Sequence, residues 1–371
     1  MTVADDSTAV STAVSTADST ADSVAYTRRA RRGHGRATMD DVAAAAGVTK
    51  ITVSRYLREP GRVSPATAER IQSALASTGY LPNRQAGQLA SGTSRMVAAL
   101  IPNVGHSIFA ETIQGLTEGL DGSGHELLLA VTGYSQEREE SQLRALLGWA
   151  PAAIIVTGRH HSDGCLALLH QAKAAGTPVI EIWDYAPQHA ASQGLAQIGF
   201  SHEAVGRAMA QHLLALGHRN LAYVDSSVAE DFRAHERGIA FVAECQSAGA
   251  RVVQLKAPMG DAFDAGRAML QPLLNLNVGA AAFANDHLAS GTLLQAREQG
   301  VAVPGQLALL GFGDFPIGRQ LKPALSTVKP PREAIGRAAA VAALAAIGRQ
   351  DANVASEALA WQIIPRETGA A

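Results

Sequence analysis

Reactive chemistry in this 371-residue chain is concentrated in cations. Twelve Lys and Arg residues lie between Arg28 and Arg95, at 28, 29, 31, 32, 36, 50, 55, 58, 62, 70, 84 and 95. Against them stand only Asp40, Asp41, Glu59 and Glu69, so the segment carries about +8 although the whole chain sums to −2. Residues 1–27 hold four acids and no base, which leaves the remainder near −6. A basic segment on an acidic body suits a polyanion partner for that segment alone. Catalytic constellations are missing: there is no Gly-rich phosphate loop or nucleophile elbow, and Ser, His and Asp are scattered. The expectation is therefore a protein that is not an enzyme. Cys165 and Cys245 are the only cysteines; far apart and without ligand spacing, they read as buried thiols in a reducing compartment. Adjacent side chains diverge and no third ligand is evident beside His160-His161, so neither a metal nor a cofactor is expected.

The balance of 47% apolar and 17% charged residues is that of a soluble globular chain. No run is as long as a membrane span, and no basic region followed by an apolar stretch marks an export signal, so the expected location is cytoplasmic. Residues 1 to about 25 repeat Ser-Thr-Ala-Val and Thr-Ala-Asp units, too poor in large apolar groups to offset their ordering entropy. The stretch Arg28–Arg36 reads either as a flexible arm touching phosphates or as a solvated tail.

The cations are positioned by helices. Thr38-Met-Asp-Asp41 is a capping arrangement in which the Thr38 hydroxyl accepts from the Asp41 amide, and both acids suit the positive helix end. Val42, Ala43 and Ala46 recur at helical spacing and Gly47 supplies the stop. Thr49 caps a second helix through Leu57. Ser64 as a cap, followed by Pro65 in the first turn, starts a third, which buries Ile71 and Leu75 and ends near Gly79. Three short helices, the first two joined by a tight Gly turn, are a helix-turn-helix spanning 38–81. A fourth helical stretch, Asn83 to Ser91, is about two turns long and interrupted by Gly87; it orders only when something holds it.

From Met96 to the end the pattern changes. Val97–Ile101, Glu126–Val131, Ala153–Val156 and Pro178–Ile182 read as strands, with helices after the first three. Leu221–Val224, Val252–Leu255, Ala280–Phe283 and Leu307–Gly311 form a second set. Such alternation implies parallel doubly wound sheets in two lobes, with a ligand cleft at the carboxyl ends of the strands.

These residues resemble a known family. Asp41-Val-Ala-Ala-Ala-Ala-Gly-Val-Thr-Lys-Ile-Thr-Val-Ser-Arg-Tyr-Leu57 resembles the DNA-reading motif of the lactose-repressor (LacI/GalR) family, and Val63-Ser-Pro-Ala-Thr and Gly79-Tyr-Leu-Pro-Asn-Arg84 continue it in register. Leu216–Tyr223, Asn285-Asp286, Leu310–Asp314 and Pro323–Val328 resemble that family's effector-binding body. Within the family the chain is most similar to gluconate-utilisation repressors, through Val48–Arg58, Phe109–Gly115, Val156–His161 and Val179–Asp184. The fold so implied is an N-terminal all-α helix-turn-helix DNA-binding domain followed by an α/β two-lobed periplasmic-binding-protein-like (type I) effector domain. Its expected divisions are a tail at 1–37, the reader at 38–81, a hinge helix and linker at 82–95, and the body at 96–371.

In a helix-turn-helix the N-terminal residues of the second helix face base edges. That makes Lys50, Ile51 and Arg55 readers: Arg55 donates two bonds to a guanine, and Ile51 meets a thymine methyl. Thr49, Thr52 and Ser54 are phosphate contacts, which position without specifying. The resemblance also brings Asn83, Arg84, Ala86 and Leu89 of the hinge to DNA, with Leu89 wedged between base steps in the minor groove. For the effector, a sugar acid needs a fork-shaped cation and polar acceptors. Arg237 is the first choice, in an Arg-x-x-Gly-aromatic pattern where Ala240 replaces the Gly, and Asn285 follows. Strand ends add His106, Phe109, Tyr134, Arg159, His160, Trp183 and Asp184. Gly313 stands where the lactose repressor carries a ligand-binding Asp, so hydroxyl recognition there must differ.

The expected function is a homodimeric repressor on a near-palindromic operator, with affinity controlled by a small sugar acid, gluconate or a keto-gluconate first. A neutral sugar and co-repression are the alternatives within the family. A sugar-binding transport protein shares the two-lobed body but lacks a use for residues 38–91.

Overall fold

The computed structural model describes residues 37–81, 94–105, 108–349 and 353–369. Asn83, Arg84, Ala86, Leu89 and His106, together with the expected tail and hinge helix, lie outside the described residues. The chain forms two compact units, Met1–Gly87 and Gln88–Ala371.

In the first unit, α1 (Met39–Ala46), α2 (Lys50–Arg58) and α3 (Pro65–Thr78) follow the sequence punctuation. The capping box forms in both directions: the Asp41 amide donates to the Thr38 hydroxyl at 3.3 Å, and the Thr38 amide donates to the Asp41 carboxylate at 2.7 Å. Thr49 caps α2 by accepting from the Thr52 amide. Ser64 differs from expectation; Pro65 opens α3, but the Ser64 hydroxyl bonds the Thr67 hydroxyl at 2.9 Å rather than a helix amide. Val42, Val53 and Ile71, one from each helix, are fully buried, each worth about 1.5–3 kcal/mol.

The turn between α1 and α2 needs left-handed backbone at Gly47, φ 61°. The sequence does not reveal what holds it. Arg70, on α3, donates to the carbonyls of Ala46 and Gly47, the latter at 2.9 Å, satisfying acceptors at the end of α1. A side chain at position 47 would also collide with that guanidinium, since a Cβ there lies 2.7 Å from Arg70 Nη2.

The second unit begins β1 (Met96–Ile101), α4 (Ala110–Leu120), β2 (Glu126–Val131), α5 (Gln136–Leu147), β3 (Ala153–Thr157), α6 (Asp163–Ala174), β4 (Val179–Ile182), α7 (Pro187–Gln193) and β5 (Ala196–Gly199). It continues α8 (His202–Ala215), β6 (Asn220–Asp225), α9 (Phe232–Ser247), β7 (Arg251–Lys256), α10 (Ala262–Asn275), β8 (Ala280–Phe283), α11 (Asp286–Glu298), β9 (Ala308–Phe312), α12 (Pro316–Gln320) and β10 (Ser326–Lys329). The chain closes with α13 (Arg332–Ala346), β11 (Glu357–Ala358) and β12 (Gln362–Ile364). Two sheets result, ordered β11-β5-β4-β3-β1-β2 and β12-β10-β9-β8-β6-β7. Every pairing is parallel except β12 against β10. Central strands β3, β4, β8 and β9 are buried at every residue, as a sheet covered on both faces requires.

Each lobe is completed by the other. After β5 the chain leaves the first sheet, and α8 packs on α9 of the second lobe; after β10 it returns, and α13 packs on α4 of the first. The α4–α13 pair is closely seated: the Thr112 hydroxyl donates to the Arg332 carbonyl at 2.9 Å, and a Cβ at Gly336 would lie 2.0 Å from the Thr112 carbonyl. β5 (Ala-Gln-Ile-Gly) and β10 (Ser-Thr-Val-Lys) lack the apolar run of the other strands and were not expected from sequence.

Replacing Arg70 with Ala removes two hydrogen bonds from the turn without touching α2. The expected outcome is a loss of about 1–3 kcal/mol from the helical unit, read as a lower urea midpoint of its far-ultraviolet dichroism.

Candidate functional site

In the helical unit, α2 buries Val53 and turns Lys50, Ile51, Arg55 and Arg58 to solvent. Ile51 is 70% exposed, a large apolar side chain turned to solvent. Lys50 pairs with Asp40 at 3.0 Å, but both side chains are more than half exposed, and such a pair contributes at most about 1 kcal/mol. Thr49 and Thr52 are joined by their hydroxyls at 2.9 Å at the helix start, and Ser54 is half-buried. One helix face thus offers two cations at i and i+5 flanking an aliphatic side chain, beside a helix N-terminus.

The second unit holds a cavity of about 110 Å³ where strand ends of both lobes meet. A cavity of about 10–15 Å³ by this measure already holds one water, so this one has room for several waters or a small polar ligand. Helix α9 supplies its charge. Asp231 caps that helix by accepting from the Ala234 amide, and Arg233 and Arg237, one turn apart, both reach the cavity. With Asp231 as the one carboxylate among the lining residues, the wall carries a net positive charge.

Arg237 is 3% exposed. Its Nη2 donates to the Ala284 carbonyl at 2.9 Å, Nη1 lies 3.0 Å from His202 Nδ1, and the guanidinium sits 3.8 Å over the Phe312 ring. Its Nε is buried without a hydrogen-bond partner. His202 Nε2 lies 2.8 Å from the Trp183 carbonyl, which can only accept. The imidazole therefore carries its proton on Nε2 and accepts from Arg237 at Nδ1. Burial first, then Arg237 and Arg233, hold its pKa well below the usual histidine range, so the neutral form persists.

Aromatic groups form the opposite wall. Phe109 meets Trp183 edge-on at 5.0 Å, and Trp183 Nε1 donates to the Thr112 hydroxyl at 3.0 Å. Tyr134 and Trp183 both hold left-handed backbone, φ 64° and 73°, a conformation costly for bulky residues that concentrates at functional sites. Burial pushes the Tyr134 phenol up, so it stays protonated. Asn285 caps α11 with Oδ1 accepting from the Leu288 amide at 3.0 Å, while its residue lines the cavity.

Of the residues singled out in the sequence, Phe109, Tyr134, Trp183, Arg237 and Asn285 come together here. Arg159, His160 and Asp184 do not line the cavity. Arg159 donates to Asp184 at 2.8 Å and to Glu236 of α9 at 3.0 Å, tying the lobes together beside the cleft. A second tie runs from the Gln136 amide to Glu230 at 2.7 Å. His160 lies tilted against the Phe232 ring at 4.8 Å, and burial followed by Arg159 lowers its pKa to about 4. Asp286 accepts from Thr327 at 2.6 Å and from the Phe315 amide at 2.9 Å; Asp314 takes Arg319 and Arg366, so both are structural. Arg233, Asp231 and His202 were missed. The i, i+4 spacing of Arg233 with Arg237 was a usable signal; His202 reaches the cavity only through the crossover at β5.

A reading helix joined to a two-lobed body with a polar, positively charged cavity defines a DNA-binding regulator that senses a small molecule. Residues 38–83 match the model for bacterial regulatory proteins of the lacI family, and residues 210–368 match the periplasmic binding protein-like domain. The HTH-type transcriptional regulator GntR of Pseudomonas aeruginosa is 34% identical over 341 residues, 91% of this chain and 97% of that protein. A LacI family transcriptional regulator from Silicibacter pomeroyi superposes with a TM-score of 0.81 at 34% identity, over 90% of this chain and 100% of that one. The lac repressor dimer bound to operator and the anti-inducer ONPF, 23% identical, shares the fold with a TM-score of 0.78 over 91% of this chain and 100% of that one. The chain belongs to the lacI family: it is a DNA-binding transcriptional repressor and not an enzyme. Among the described residues no helix is long and apolar enough to cross a membrane.

His202 gives the fold a pH dependence of known sign. Its folded pKa lies below the reference of 6.5, so below that value the unfolded chain takes up a proton that the folded chain refuses. Stability from this group is complete above pH 6.5 and is lost on acidification, at up to about 1.4 kcal/mol per pH unit. In His202→Gln the urea-unfolding free energy should fall correspondingly less between pH 7 and 5; an unchanged slope contradicts the assignment.

Proposed function

We propose that this repressor binds a near-palindromic operator as a cytoplasmic homodimer and is released from it by a sugar acid, gluconate or a keto-gluconate, held in the cavity of the second unit. The observation that carries the effector class is the pair Arg233 and Arg237 at the start of α9. Two guanidiniums beside a helix N-terminus, against one lining carboxylate, favour an anion. Asp231, Asn285 and Tyr134 suit the hydroxyls, and the Phe109–Trp183 wall suits the carbon chain. The resemblance to gluconate-utilisation repressors supports the same class. Leu129 and Val131, exposed on edge strand β2, support a second copy as partner.

On DNA, Lys50, Ile51 and Arg55 read bases, Thr49, Thr52 and Ser54 hold phosphates, and Asn83, Arg84, Ala86 and Leu89 act at the hinge of residues 82–95. Effector binding redistributes the two lobes and withdraws support from that hinge, lowering operator affinity.

Calorimetric titration of the chain with gluconate, a keto-gluconate and glucose tests the effector class: the acids should bind and glucose should not. Arg237→Ala should weaken acid binding about 10–100-fold. Glucose binding as tightly as the acids, or full affinity in the variant, overturns the reading. Fluorescence anisotropy on operator DNA should show weaker binding when the acid is added; tighter binding reverses the sign.

Arg55→Ala should cost about 1–3 kcal/mol on operator DNA and flatten discrimination against sequences altered at one base pair. A uniform loss across all sequences, with a shallower salt dependence, would make Arg55 a phosphate contact instead.

A further inference from the structure

We propose that Glu139, His161 and Cys165 form a binding site for a divalent metal ion of the zinc type in the first lobe, separate from the effector cavity. Glu139 lies in the first turn of α5, Cys165 in the first turn of α6, and His161 in the loop from β3 to α6. Sequence spacing alone showed no third ligand for the histidine pair; folding brings two to His161. One donor atom from each of the three residues falls within 4.8 Å of the others.

The distances suit a tetrahedral ion. Zinc bonds of about 2.3 Å to sulfur and about 2.1 Å to nitrogen or oxygen put neighbouring donors about 3.4 Å (N to O) and about 3.6 Å (S to O) apart. His161 Nδ1 lies 2.9 Å from Glu139 Oε2, and Cys165 Sγ lies 3.6 Å from that same oxygen. A small opening of the His161–Glu139 contact therefore admits the ion. Sulfur, imidazole nitrogen and carboxylate oxygen together favour zinc over the hard cations, and three protein ligands leave a fourth position for water.

The surroundings are built around the imidazole. The His161 side chain is 1% exposed, Glu139 is 7% exposed and Cys165 is fully buried. Behind the ring, His161 Nε2 faces Glu181 Oε1 at 3.5 Å; both atoms are buried without a hydrogen-bond partner. Glu181 in turn accepts from Gln197 Nε2 at 2.7 Å. A carboxylate behind the second ring nitrogen is the usual support of a metal-bound histidine, and here it fixes Nδ1 as the ligand atom.

Charge points the same way. Among the described residues no Arg or Lys side chain hydrogen-bonds to Glu139 or Glu181, so two buried carboxylates share one imidazole. A divalent ion balances the Glu139 carboxylate and the Cys165 thiolate. Its binding displaces the thiol proton, and the Nδ1 proton where His161 carries two; both leave to buffer, and nothing is oxidised or reduced. His161 stands two residues after Arg159, so the ion would pin the loop that carries the Arg159–Glu236 tie between the lobes.

The test uses the full chain, treated with chelator, dialysed, and titrated with Zn2+ and with Co2+ as a spectroscopic probe. One tightly bound ion per chain and a thiolate-to-cobalt charge-transfer band are expected. Cys165→Ser should abolish the band and weaken Zn2+ at least about tenfold, and Glu181→Gln should weaken it about 10–100-fold. Cys245→Ser, at the other buried thiol, should leave both unchanged. X-ray absorption of the zinc-loaded wild-type chain, expected to show one sulfur ligand, decides the matter if Cys165→Ser does not fold. The proposal is overturned by no stoichiometric binding, by a cobalt spectrum or zinc edge without sulfur, or by unaltered binding in Cys165→Ser.

Discussion

The α/β unit holds a buried guanidinium that, among the described residues, has no carboxylate paired with it. Taking an arginine out of water costs several kcal/mol unless its donors are used. Arg237 uses two of them, on a carbonyl from the end of β8 and on an imidazole from the start of α8, and lays its flat face on a ring from the end of β9. The imidazole contact agrees with the His202 tautomer set by the Trp183 carbonyl, so Arg237, His202 and the left-handed Trp183 form one chain of contacts. Polar and aromatic walls of the cavity thus meet at one side chain whose charge is hydrogen-bonded but not neutralised. An anion is the natural complement of such a centre.

Local chemistry was readable and distant chemistry was not. The capping box at Thr38, the glycine stop at Gly47 and the cap at Thr49 act within four residues, and each was visible in the chain. The central strands β3, β4, β8 and β9 showed as apolar runs because both faces of each sheet are covered there. Arg70 appeared only as one more cation, since nothing in its neighbourhood tells that it reaches back across 23 residues to the Gly47 carbonyl. Glu139 and Cys165 lie 26 residues apart, on helices whose N-terminal turns meet only once the sheet has formed.

The candidate site follows the same division. Strand ends drew attention to Phe109, Tyr134, Trp183 and Asn285, and a sequence pattern to Arg237; all five line one cavity, because parallel sheets gather their carboxyl ends at one edge. The same rule also picked out Arg159, His160 and Asp184, which stand at strand ends but face into ion pairs and a ring contact beside the cleft. Periodicity places a residue at an edge; it does not say into which of two neighbouring spaces the side chain turns. His202 obeys the rule too, three residues after the carboxyl end of β5, but that strand was not expected from sequence.

The exchange of helices between lobes also sets a timetable for synthesis. The first five strands of the first sheet are complete once Gly199 has been made, yet α13, which covers α4, ends at Ala346. At about 5–20 residues per second, the ribosome needs roughly 7–30 s to span that interval. Throughout it the small-residue face of α4 around Gly115 has nothing seated on it. A chain cut short before α13 therefore leaves the first lobe unfinished rather than merely shortened.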